Sequence, residues 1–264
     1  MNKELKNNPF KVHGIEHFSP SMINTFVNDP VLFILKYVYK HKGYSNSSAV
    51  RGHTVEKVLN QYLDNKQLIT EDEIKGLFTS MVSDAQYNCD KDELKSDKYS
   101  KELGLLNDYY NVGVDFLSTD DWFFAKPTGY QNQIIIKDDD FPIPIMGYID
   151  FIFDDKIVDL KTSGKMPSKL TENIYRQMAI YSLAVPNKDS VVVYITPKKS
   201  QEFTIPTIDM IYYKNQVKQI MFNIQKFLSV SADPQELASL LYPNFDDWRW
   251  TDDLKIEAMK IWRM

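Results

Sequence analysis

The first part of the chain spaces its apolar residues as amphipathic helices do. The segment SPSMINTFVNDPVLFILKYVYK begins with Ser19 and Pro20, a typical helix cap and first turn, and its helical spacing is interrupted at Asp29-Pro30. We interpret this segment as a pair of helices. The next segment, SSAVRGHTVEKVLNQYLDN, places its apolar residues on one face of a helix and directs Glu56 close to that face.

From about residue 130 the pattern changes to that of β-strands. Short runs rich in β-branched residues are bounded by Asp, Pro, Gly and Lys, which is typical of strands with tight connections. These runs are QNQIIIK, IPIMGYIDFIF, KIVDLKT, SVVVYIT and QEFTIPT. Helical spacing returns after the third and fifth runs, in SKLTENIYRQMAIYSLAV, DMIYYKNQVKQIMFNIQKFLSV and the tail from about 234.

This order of elements predicts an α/β fold with a central mixed β-sheet flanked by helices. We expect one domain over residues 1–264. Its parts are an N-terminal helical part at about 18–120, a sheet core at about 130–206 and C-terminal helices at about 207–264. We expect the N-terminal helices to fold over the functional site.

Composition restricts the kinds of function that need to be considered. The chain has 264 residues, of which 25% are charged, and a formal net charge of −5, so any nucleic-acid site must be local rather than a general basic coat. Cys89 is the sole cysteine, which excludes a disulfide framework, a cysteine-rich zinc site and a four-cysteine iron–sulfur cluster. The polar start MNKELKNNPF lacks the apolar region of a signal peptide, so we expect a cytoplasmic protein without a membrane segment.

Charged residues in the stretch GYIDFIFDDKIVDLKTS are unusual for strands that only fill a core. A hairpin with a two-residue turn at Asp155-Lys156 would place Asp150 opposite Lys161, and Ile152 opposite Asp159. Because side chains alternate along a strand, these three charges would emerge on one face. Phe151, Phe153, Val158 and Leu160 would take the other face.

Two carboxylates this close repel each other unless a positive charge lies between them. One lysine only partly balances Asp150 and Asp159, and a hard divalent cation such as Mg²⁺ or Mn²⁺ would complete the balance. Such an ion polarises a phosphoryl oxygen and acidifies water, while Lys161 could orient that water or steady negative charge. The alternative is a surface hairpin with a solvated ion pair. Gly147 favours the functional interpretation, because glycine in a strand permits a close approach.

Three other features allow both a functional and an ordinary interpretation. His53 lies three residues before Glu56 and could be a metal ligand, but a solvent-facing or supporting role is the commoner case. The acidic run at 138–140 is more typical of a solvated loop than of a metal site. Trp248 and Trp250 could stack on bases, although tryptophans that anchor a tail are commoner.

Five short motifs occur in a fixed order along the chain. They are S-x-S-x-I-x-x-F from Ser19, Arg51-Gly52-x-x-x-Glu56, Gly147-x-x-Asp150, Asp159-Leu160-Lys161 followed by Thr162, and Gln177-x-x-x-Tyr181. Each motif is weakly specific, but the ordered set over roughly residues 18–185 resembles the PD-(D/E)XK nuclease superfamily. In particular it resembles the RecB-like branch, which includes CRISPR-associated and bacteriophage exonucleases. Many relatives have His at the position of Glu56, and some phage-type members have Glu.

The resemblance implies a restriction-endonuclease-like core and assigns roles to individual residues. Glu56, Asp150 and Asp159 would be side-chain metal ligands, the Leu160 carbonyl a further ligand, and Lys161 the catalytic lysine. Gln177 and Tyr181, one helical turn apart, would reach the same phosphate or support Lys161 and the metal ligands.

Positive residues near the last motif are candidates for DNA contacts. Arg176 could bind a phosphate beside Gln177, and Lys165 and Lys169 could follow the phosphate backbone. For the two lysines, a solvated helix start is the alternative interpretation.

The sequence departs from the family pattern at three positions. Ile149 stands before Asp150 where the superfamily name has Pro, although the RecB-like branch often lacks that proline. The acidic member of the D/E-x-K pair is Asp159, which shortens its reach without changing its charge. Asp29-Pro30 stands where some relatives have Cys-Pro, so no iron–sulfur cluster is expected.

We therefore expect Mg²⁺- or Mn²⁺-dependent hydrolysis of DNA phosphodiester bonds, most typically by an exonuclease. A structure-specific or sequence-specific endonuclease, or a non-catalytic DNA-binding subunit, would fit the same resemblance. The chain has no G-x-x-x-x-G-K-(S/T) helicase motif. Processivity would therefore require a ring-shaped homo-oligomer, a topologically closed channel, or a partner such as a recombinase, helicase or single-strand-binding protein. The resemblance also implies DNA recombination, replication or degradation in a bacterial or phage-infected host cell.

Overall fold

The computed structural model describes residues 8–247 and 249–264. Its α-helices are α1 (Pro9–Val12), α2 (Pro20–Asn28), α3 (Pro30–Phe33), α4 (Ser47–Asn65), α5 (Glu71–Ser83), α6 (Asp97–Leu117), α7 (Asp120–Phe123), α8 (Glu172–Ala184), α9 (Thr207–Leu228), α10 (Pro234–Ser239) and α11 (Asp252–Trp262). Its strands are β1 (Gly129–Ile136), β2 (Ile145–Ile152), β3 (Lys156–Thr162), β4 (Asp189–Ile195) and β5 (Ser200–Ile205). Among the residues described, no helix is both long and apolar enough to cross a bilayer.

The strands form one mixed sheet in the order β1-β2-β3-β4-β5. Strand β3 pairs with β4 in parallel, and the other three neighbouring pairs are antiparallel. A parallel pair needs a long crossover connection, and helix α8 supplies it between β3 and β4. The predicted α/β fold with a central mixed sheet and flanking helices is confirmed.

The turn between β2 and β3 differs from the sequence prediction. Phe151 pairs with Val158 and Ile152 with Ile157, and the Phe153 N–H donates to the Lys156 carbonyl, so the turn residues are Asp154 and Asp155. The predicted turn at Asp155-Lys156 was therefore wrong, and so were the pairings of Asp150 with Lys161 and of Ile152 with Asp159.

The start of β4 explains this choice of turn. The Lys188 ammonium donates to the carbonyls of Phe153 and Asp154, each at 2.6 Å, and the Asp189 N–H donates to the Asp155 carbonyl at 2.9 Å. These contacts come from outside the hairpin, so its own sequence did not reveal them. The shift amounts to two residues in register, and it therefore leaves the predicted faces of the strands unchanged.

Each face of the sheet is covered by its own apolar core. On one face, side chains of β3 and β4 such as Val158 and Val193 pack with helices α4, α5 and α6. On the other face, Ile157 and Val192 pack with α2, α8 and α9. The charged residues of the hairpin thus emerge beneath α8, and Phe151 and Phe153 lie on the opposite face, as predicted.

The N-terminal helices are fixed by caps and by the tail. The Ser19 hydroxyl accepts a hydrogen bond from Met22 N at the start of α2, and Asp29 caps α3, which continues into a π-helical turn at Ile34–Val38. The predicted helix pair is therefore confirmed. Trp250 is buried and donates from Nε1 to Asp29 Oδ2 at 2.9 Å, so it anchors the tail, whereas Trp248 lies outside the described residues.

Candidate active site

Glu56 is held against the sheet through Arg51, which lies five residues before it on α4. Arg51 donates from Nε to the Thr162 hydroxyl and from a terminal nitrogen to the Thr162 carbonyl, both at 3.2 Å. The same buried guanidinium forms an ion pair with Glu102 of α6 at 2.5 Å. These bonds fix α4 across the end of β3, next to Lys161, so the Glu56 carboxylate is buried beside the strand charges.

Asp150 lies where β2 and β3 separate. Strand pairing stops after Phe151 and Val158, and the Asp150 carboxylate instead accepts the Leu160 N–H at Oδ2, at 2.8 Å. The side chain thereby replaces a missing strand-to-strand hydrogen bond. Its other oxygen, Oδ1, remains directed toward Glu56, to which it is joined through one glutamine.

Asp159 is fully buried and connects β3 with α8. Lys161 Nζ lies 2.9 Å from its Oδ1 and 2.8 Å from its Oδ2. Gln177 Nε2 also donates to Oδ1 at 2.9 Å and to the Tyr181 hydroxyl at 2.9 Å. The D-x-K and Q-x-x-x-Y motifs, which lie far apart in the sequence, therefore meet at one carboxylate.

Gln131 of β1 is a member of this cluster that the sequence analysis missed. Its Nε2 donates to Glu56 Oε1 at 2.5 Å and to Asp150 Oδ1 at 3.3 Å. Its backbone has a φ of +47°, in the left-handed region. The one sequence signal was the polar run QNQ immediately before three isoleucines, where an ordinary half-buried strand would alternate.

The cluster lies in a cleft of about 1020 Å³ between the sheet and the N-terminal helices. Lys161, Leu160 and Gln177 line it on the sheet side, and Lys36 and Lys42 line it on the helical side. The two N-terminal lysines were not predicted. Lys36 stands in the otherwise apolar run FILKYV, which was the available signal for a lysine with a special position.

The predicted phosphate contact at Arg176 does not fit the structure. Its side chain is 2% exposed, and its guanidinium donates to four side-chain oxygens. These acceptors belong to Asn24, Glu172, Asn173 and Gln216. With its donors directed into the contact of α8 with α2 and α9, Arg176 has a structural role, and we exclude it from the site proposed below.

Lys165 and Lys169 are exposed on the segment between β3 and α8, and neither lines the cleft. Their predicted contact with a phosphate backbone stays a prediction. His53 lies at the rim of the cleft with its ring 5.7 Å from that of Tyr87, which agrees with a supporting or solvent-facing position.

The electrostatics of the cluster show an excess of negative charge. Burial raises the pKa of Asp150 well above its usual value, and the charges of Asp159 and Glu56 raise it further. Burial likewise raises the pKa of Glu56, against the effect of the hydrogen bond from Gln131. Burial alone would lower the pKa of Lys161, but attraction by Asp159 and Asp150 outweighs it and raises that pKa.

The cluster fits a hard divalent cation in charge and in ligand type. Three carboxylates around one ammonium leave net negative charge, and carboxylate and carbonyl oxygens are the ligands that Mg²⁺ and Mn²⁺ prefer. Across residues 8–247 and 249–264, no group of three or more His, Cys, Asp or Glu side chains is arranged to hold a metal by itself. Mg²⁺ commonly uses only one or two protein carboxylates together with water and substrate phosphate, so the donor set remains suitable.

Comparison with known proteins gives the family. The family model for the PD-(D/E)XK nuclease superfamily matches residues 17–257, which include every residue of the cluster. A solved structure titled "Crystal structure of SSO0001" is 15% identical, with a TM-score of 0.31, over 64% of this chain and 84% of that chain. A search of curated proteins returned no match. By the match over most of its length, the chain belongs to the PD-(D/E)XK nuclease superfamily, whose members are generally metal-dependent nucleases.

Proposed function

We propose that this nuclease is a Mg²⁺- or Mn²⁺-dependent DNA exonuclease of the RecB-like branch. The observation that carries the proposal is the fully buried Asp159 carboxylate, which accepts hydrogen bonds from Lys161 and Gln177, two residues that line the cleft. The Q-x-x-x-Y motif marks the RecB-like branch, and here its two side chains are hydrogen-bonded to each other beside the D-x-K strand.

The residues proposed to hold the ion are Glu56, Asp150, Asp159 and the Leu160 carbonyl. They come from one helix and two adjacent strands whose relative position is fixed by the bonds of Arg51 to Thr162 and of Asp150 to Leu160. A bound Mg²⁺ or Mn²⁺ supplies a Lewis acid for a phosphoryl oxygen and lowers the pKa of an attacking water.

Lys161 is the residue proposed to act on the nucleophile. Its ammonium is held by Asp159 and lines the cleft, and its raised pKa keeps it charged at neutral pH. A fixed positive charge at this position orients a water through its lone pairs and stabilises negative charge that develops on phosphate oxygens. Gln177 and Tyr181 position Asp159, and through it Lys161.

Binding of DNA is proposed to use the cleft rather than the surface as a whole. Lys36 and Lys42 line the helical side of the cleft and Lys161 lines the sheet side, so cations are present on both walls despite the net charge of −5. Because the helical wall belongs to the same chain, a DNA strand in the cleft would be contacted on two sides. Processivity beyond that contact would come from a homo-oligomer or a partner such as a helicase or recombinase.

The experiment that tests this proposal compares linear with covalently closed DNA. End-labelled linear single- and double-stranded DNA and covalently closed circles are incubated with Mg²⁺ or Mn²⁺. We expect progressive loss of the linear substrates and intact circles. Cleavage of the circles would show an endonuclease instead.

The control is Asp159→Ala, which removes the carboxylate that Lys161 and Gln177 share. We expect it to abolish degradation in the same assay. Degradation that persists unchanged in this variant would contradict the proposed site. Absence of any hydrolysis by the wild type, with DNA binding retained, would indicate a non-catalytic subunit.

A further inference from the structure

Gln131 has a backbone conformation that β-strands rarely contain. Its φ of +47° lies in the left-handed region, which costs a residue with a side chain roughly 1–2 kcal/mol. The flanking residues Tyr130 and Asn132 pair normally with β2, opposite Phe151 and Ile149. The unusual conformation is thus confined to the residue opposite Asp150, and it turns the Gln131 side chain into the carboxylate cluster.

Strand β1 changes faces at this point. Tyr130 packs with the core beneath α4, whereas Ile134, four residues on, belongs to the core beneath α8. Residues an even number apart normally share a face of a strand. Gln131 is therefore the residue at which β1 passes from one core to the other. Its own side chain contacts Glu56 and Asp150.

The carboxamide of Gln131 lies between two carboxylates. Nε2 is within hydrogen-bonding distance of Glu56 Oε1 and of Asp150 Oδ1, at 2.5 and 3.3 Å. Asp150 Oδ2 accepts the Leu160 N–H, so a cation bound by both carboxylates would approach Asp150 at Oδ1, the oxygen that Gln131 contacts. An N–H group cannot point at a cation, but the oxygen at the other end of the same carboxamide is a ligand of the type that Mg²⁺ and Mn²⁺ accept.

Solvent reaches Gln131 from two sides. It lines the large cleft, and it also lines a second cavity of about 340 Å³ together with Tyr87, Tyr130 and Lys57. Glu56 and His53 line both cavities too, so the Glu56–Gln131 contact stands at their junction. A hydrated ion can therefore reach the carboxamide, and the side chain has open space in which to turn.

From these contacts we propose that Gln131 is a further residue of the metal site, whose carboxamide turns from bridging Glu56 and Asp150 to present its oxygen to the bound divalent cation. The inference rests on the proposed function, because it takes these carboxylates as the ones that hold the ion. Gln131 is a positioning residue for Glu56 and Asp150 and a ligand for the ion. Its strained backbone is explained because this conformation is what aims the side chain at both carboxylates.

Binding of Mn²⁺ in the absence of DNA tests the inference directly. Isothermal titration calorimetry is carried out on the wild type, Gln131→Ala, Gln131→Glu and Gln133→Ala. We expect Gln131→Ala to bind Mn²⁺ roughly 10- to 100-fold more weakly, the loss typical of residues that support metal ligands. Gln131→Glu retains an oxygen at the same position, so we expect affinity equal to or above that of the wild type.

Gln133→Ala is the matched control, two residues along the same strand. Gln133 donates to the Tyr148 hydroxyl at 3.2 Å and has no bond to the carboxylates. We expect unchanged Mn²⁺ affinity in this variant. Wild-type affinity in Gln131→Ala would overturn the inference, and affinity in Gln131→Glu as weak as in Gln131→Ala would overturn the role of the oxygen.

A second readout uses the side-chain amide signal of Gln131 itself. Its ¹⁵N–¹H₂ resonances are identified by their absence in Gln131→Glu and followed in the wild type as Mg²⁺ is added. We expect them to shift as the hydrogen bonds to Glu56 and Asp150 are lost. Resonances that stay in place while Mg²⁺ binds would refute the turn of the carboxamide.

The outcome also separates this inference from the proposed function. If the wild type binds no Mn²⁺ and degrades no DNA in its presence, the proposed metal-dependent activity fails together with the inference. If the wild type binds Mn²⁺ and Asp159→Ala abolishes that binding, but Gln131→Ala leaves it unchanged, then the role of Gln131 alone is refuted.

Discussion

Two buried polar clusters meet at helix α8, and they are built in opposite ways. Arg176 directs its guanidinium into the contact with α2 and α9, where side-chain oxygens accept its hydrogen bonds. Its sequence neighbour Gln177 faces the sheet and joins a cluster with three carboxylates and one ammonium. The Arg176 guanidinium thus finds its acceptors within the protein, one of them the 66% exposed Glu172, whereas the carboxylate cluster has an excess of negative charge and opens into a cleft.

This difference distinguishes the Arg176 cluster, whose hydrogen-bond partners lie within the protein, from the cluster that we propose to bind a metal ion. Buried polar groups normally have partners, because an unpaired group costs the free energy of its desolvation. Burial raises the pKa values of Asp150 and Glu56, and the charge of Asp159 raises both of them further. Carboxyl groups with raised pKa values that line a solvent-filled cleft are expected to bind a cation from solution, because the cation stabilises their charged form.

The largest expected effect is on catalysis, in Lys161→Ala. Removing the ammonium that lines the cleft should reduce DNA hydrolysis by about 10²–10³-fold, the range seen when one stabilising group at a reacting centre is deleted. Initial rates on end-labelled linear DNA measure the change. Lys75→Ala is the control that should keep wild-type rates, because Lys75 pairs with Glu71 on the same helix α5 and does not line the cleft. Equal rates in both variants would contradict the role given to Lys161.

The next effect is on stability, in Arg176→Ala. The change removes a buried side chain and leaves half-buried polar side chains of α2, α8 and α9 without their donor, and we expect a loss of about 3 kcal/mol in the free energy of unfolding. Urea denaturation measures it. The slope of the logarithm of the DNA-binding constant against the logarithm of the salt concentration should stay that of the wild type, because the guanidinium does not contact a phosphate. A reduced salt-dependence slope with unchanged stability would show instead that Arg176 contacts a DNA phosphate.

A smaller stability effect of opposite sign is expected for Asp150→Asn. Because the folded-state pKa of Asp150 is raised, the folded state binds a proton more readily than the unfolded chain, and stability falls as pH rises above the usual carboxyl range. With EDTA at pH 8, the variant should therefore melt about 2–4 °C higher, which corresponds to roughly 1 kcal/mol. The gain should fade as the pH is lowered toward the ordinary pKa of Asp.

Adding Mg²⁺ should raise the melting temperature of the wild type above that of Asp150→Asn. An ion that binds only the folded wild type stabilises it by mass action. Asp108→Asn, which removes an exposed carboxylate of α6, is the control and should show neither effect. A melting temperature of Asp150→Asn below the wild type in EDTA would show that the hydrogen bond to Leu160 outweighs the repulsion.

Local patterns predicted the elements and the faces of the sheet, because strand alternation and helix spacing are properties of adjacent residues. They placed Asp150, Asp159 and Lys161 on one face even though the turn was assigned one position too late. An error of two in register preserves the faces, which is why the site survived the error. The correct turn depends on Lys188, which lies beyond α8 in the sequence.

Contacts between distant segments were the part that the sequence did not reveal. Arg176 looked like a phosphate ligand because it is charged and adjacent to Gln177, but helices α2 and α9 supply partners that no local pattern contains. Gln131 was missed for the same reason, since its importance comes from a backbone conformation and from carboxylates on α4 and β2. Side-chain contacts could therefore not be predicted where distant segments of the chain supply the partners.

The smallest expected effect tests how tightly α8 is held over the carboxylate cluster, in Gly147→Ala. A Cβ at this position would lie 3.2 Å from Tyr181 Cε1, a ring that is buried and whose hydroxyl accepts the bond from Gln177. The ring must give way by a few tenths of an ångström, so we expect a loss of about 1 kcal/mol in unfolding free energy. Thermal unfolding and initial hydrolysis rates measure the change and its effect on the site.

Gly104→Ala provides the matched comparison, because a Cβ there meets nothing within 4 Å on helix α6. Alanine in an exposed helix is favoured over glycine by about 0.5–1 kcal/mol, so this variant should be more stable than the wild type. The two glycine variants should therefore change stability in opposite directions, and hydrolysis should slow only in Gly147→Ala. If both variants gain stability and keep wild-type rates, Tyr181 has room to move, and the close contact between β2 and α8 does not position the carboxylate cluster.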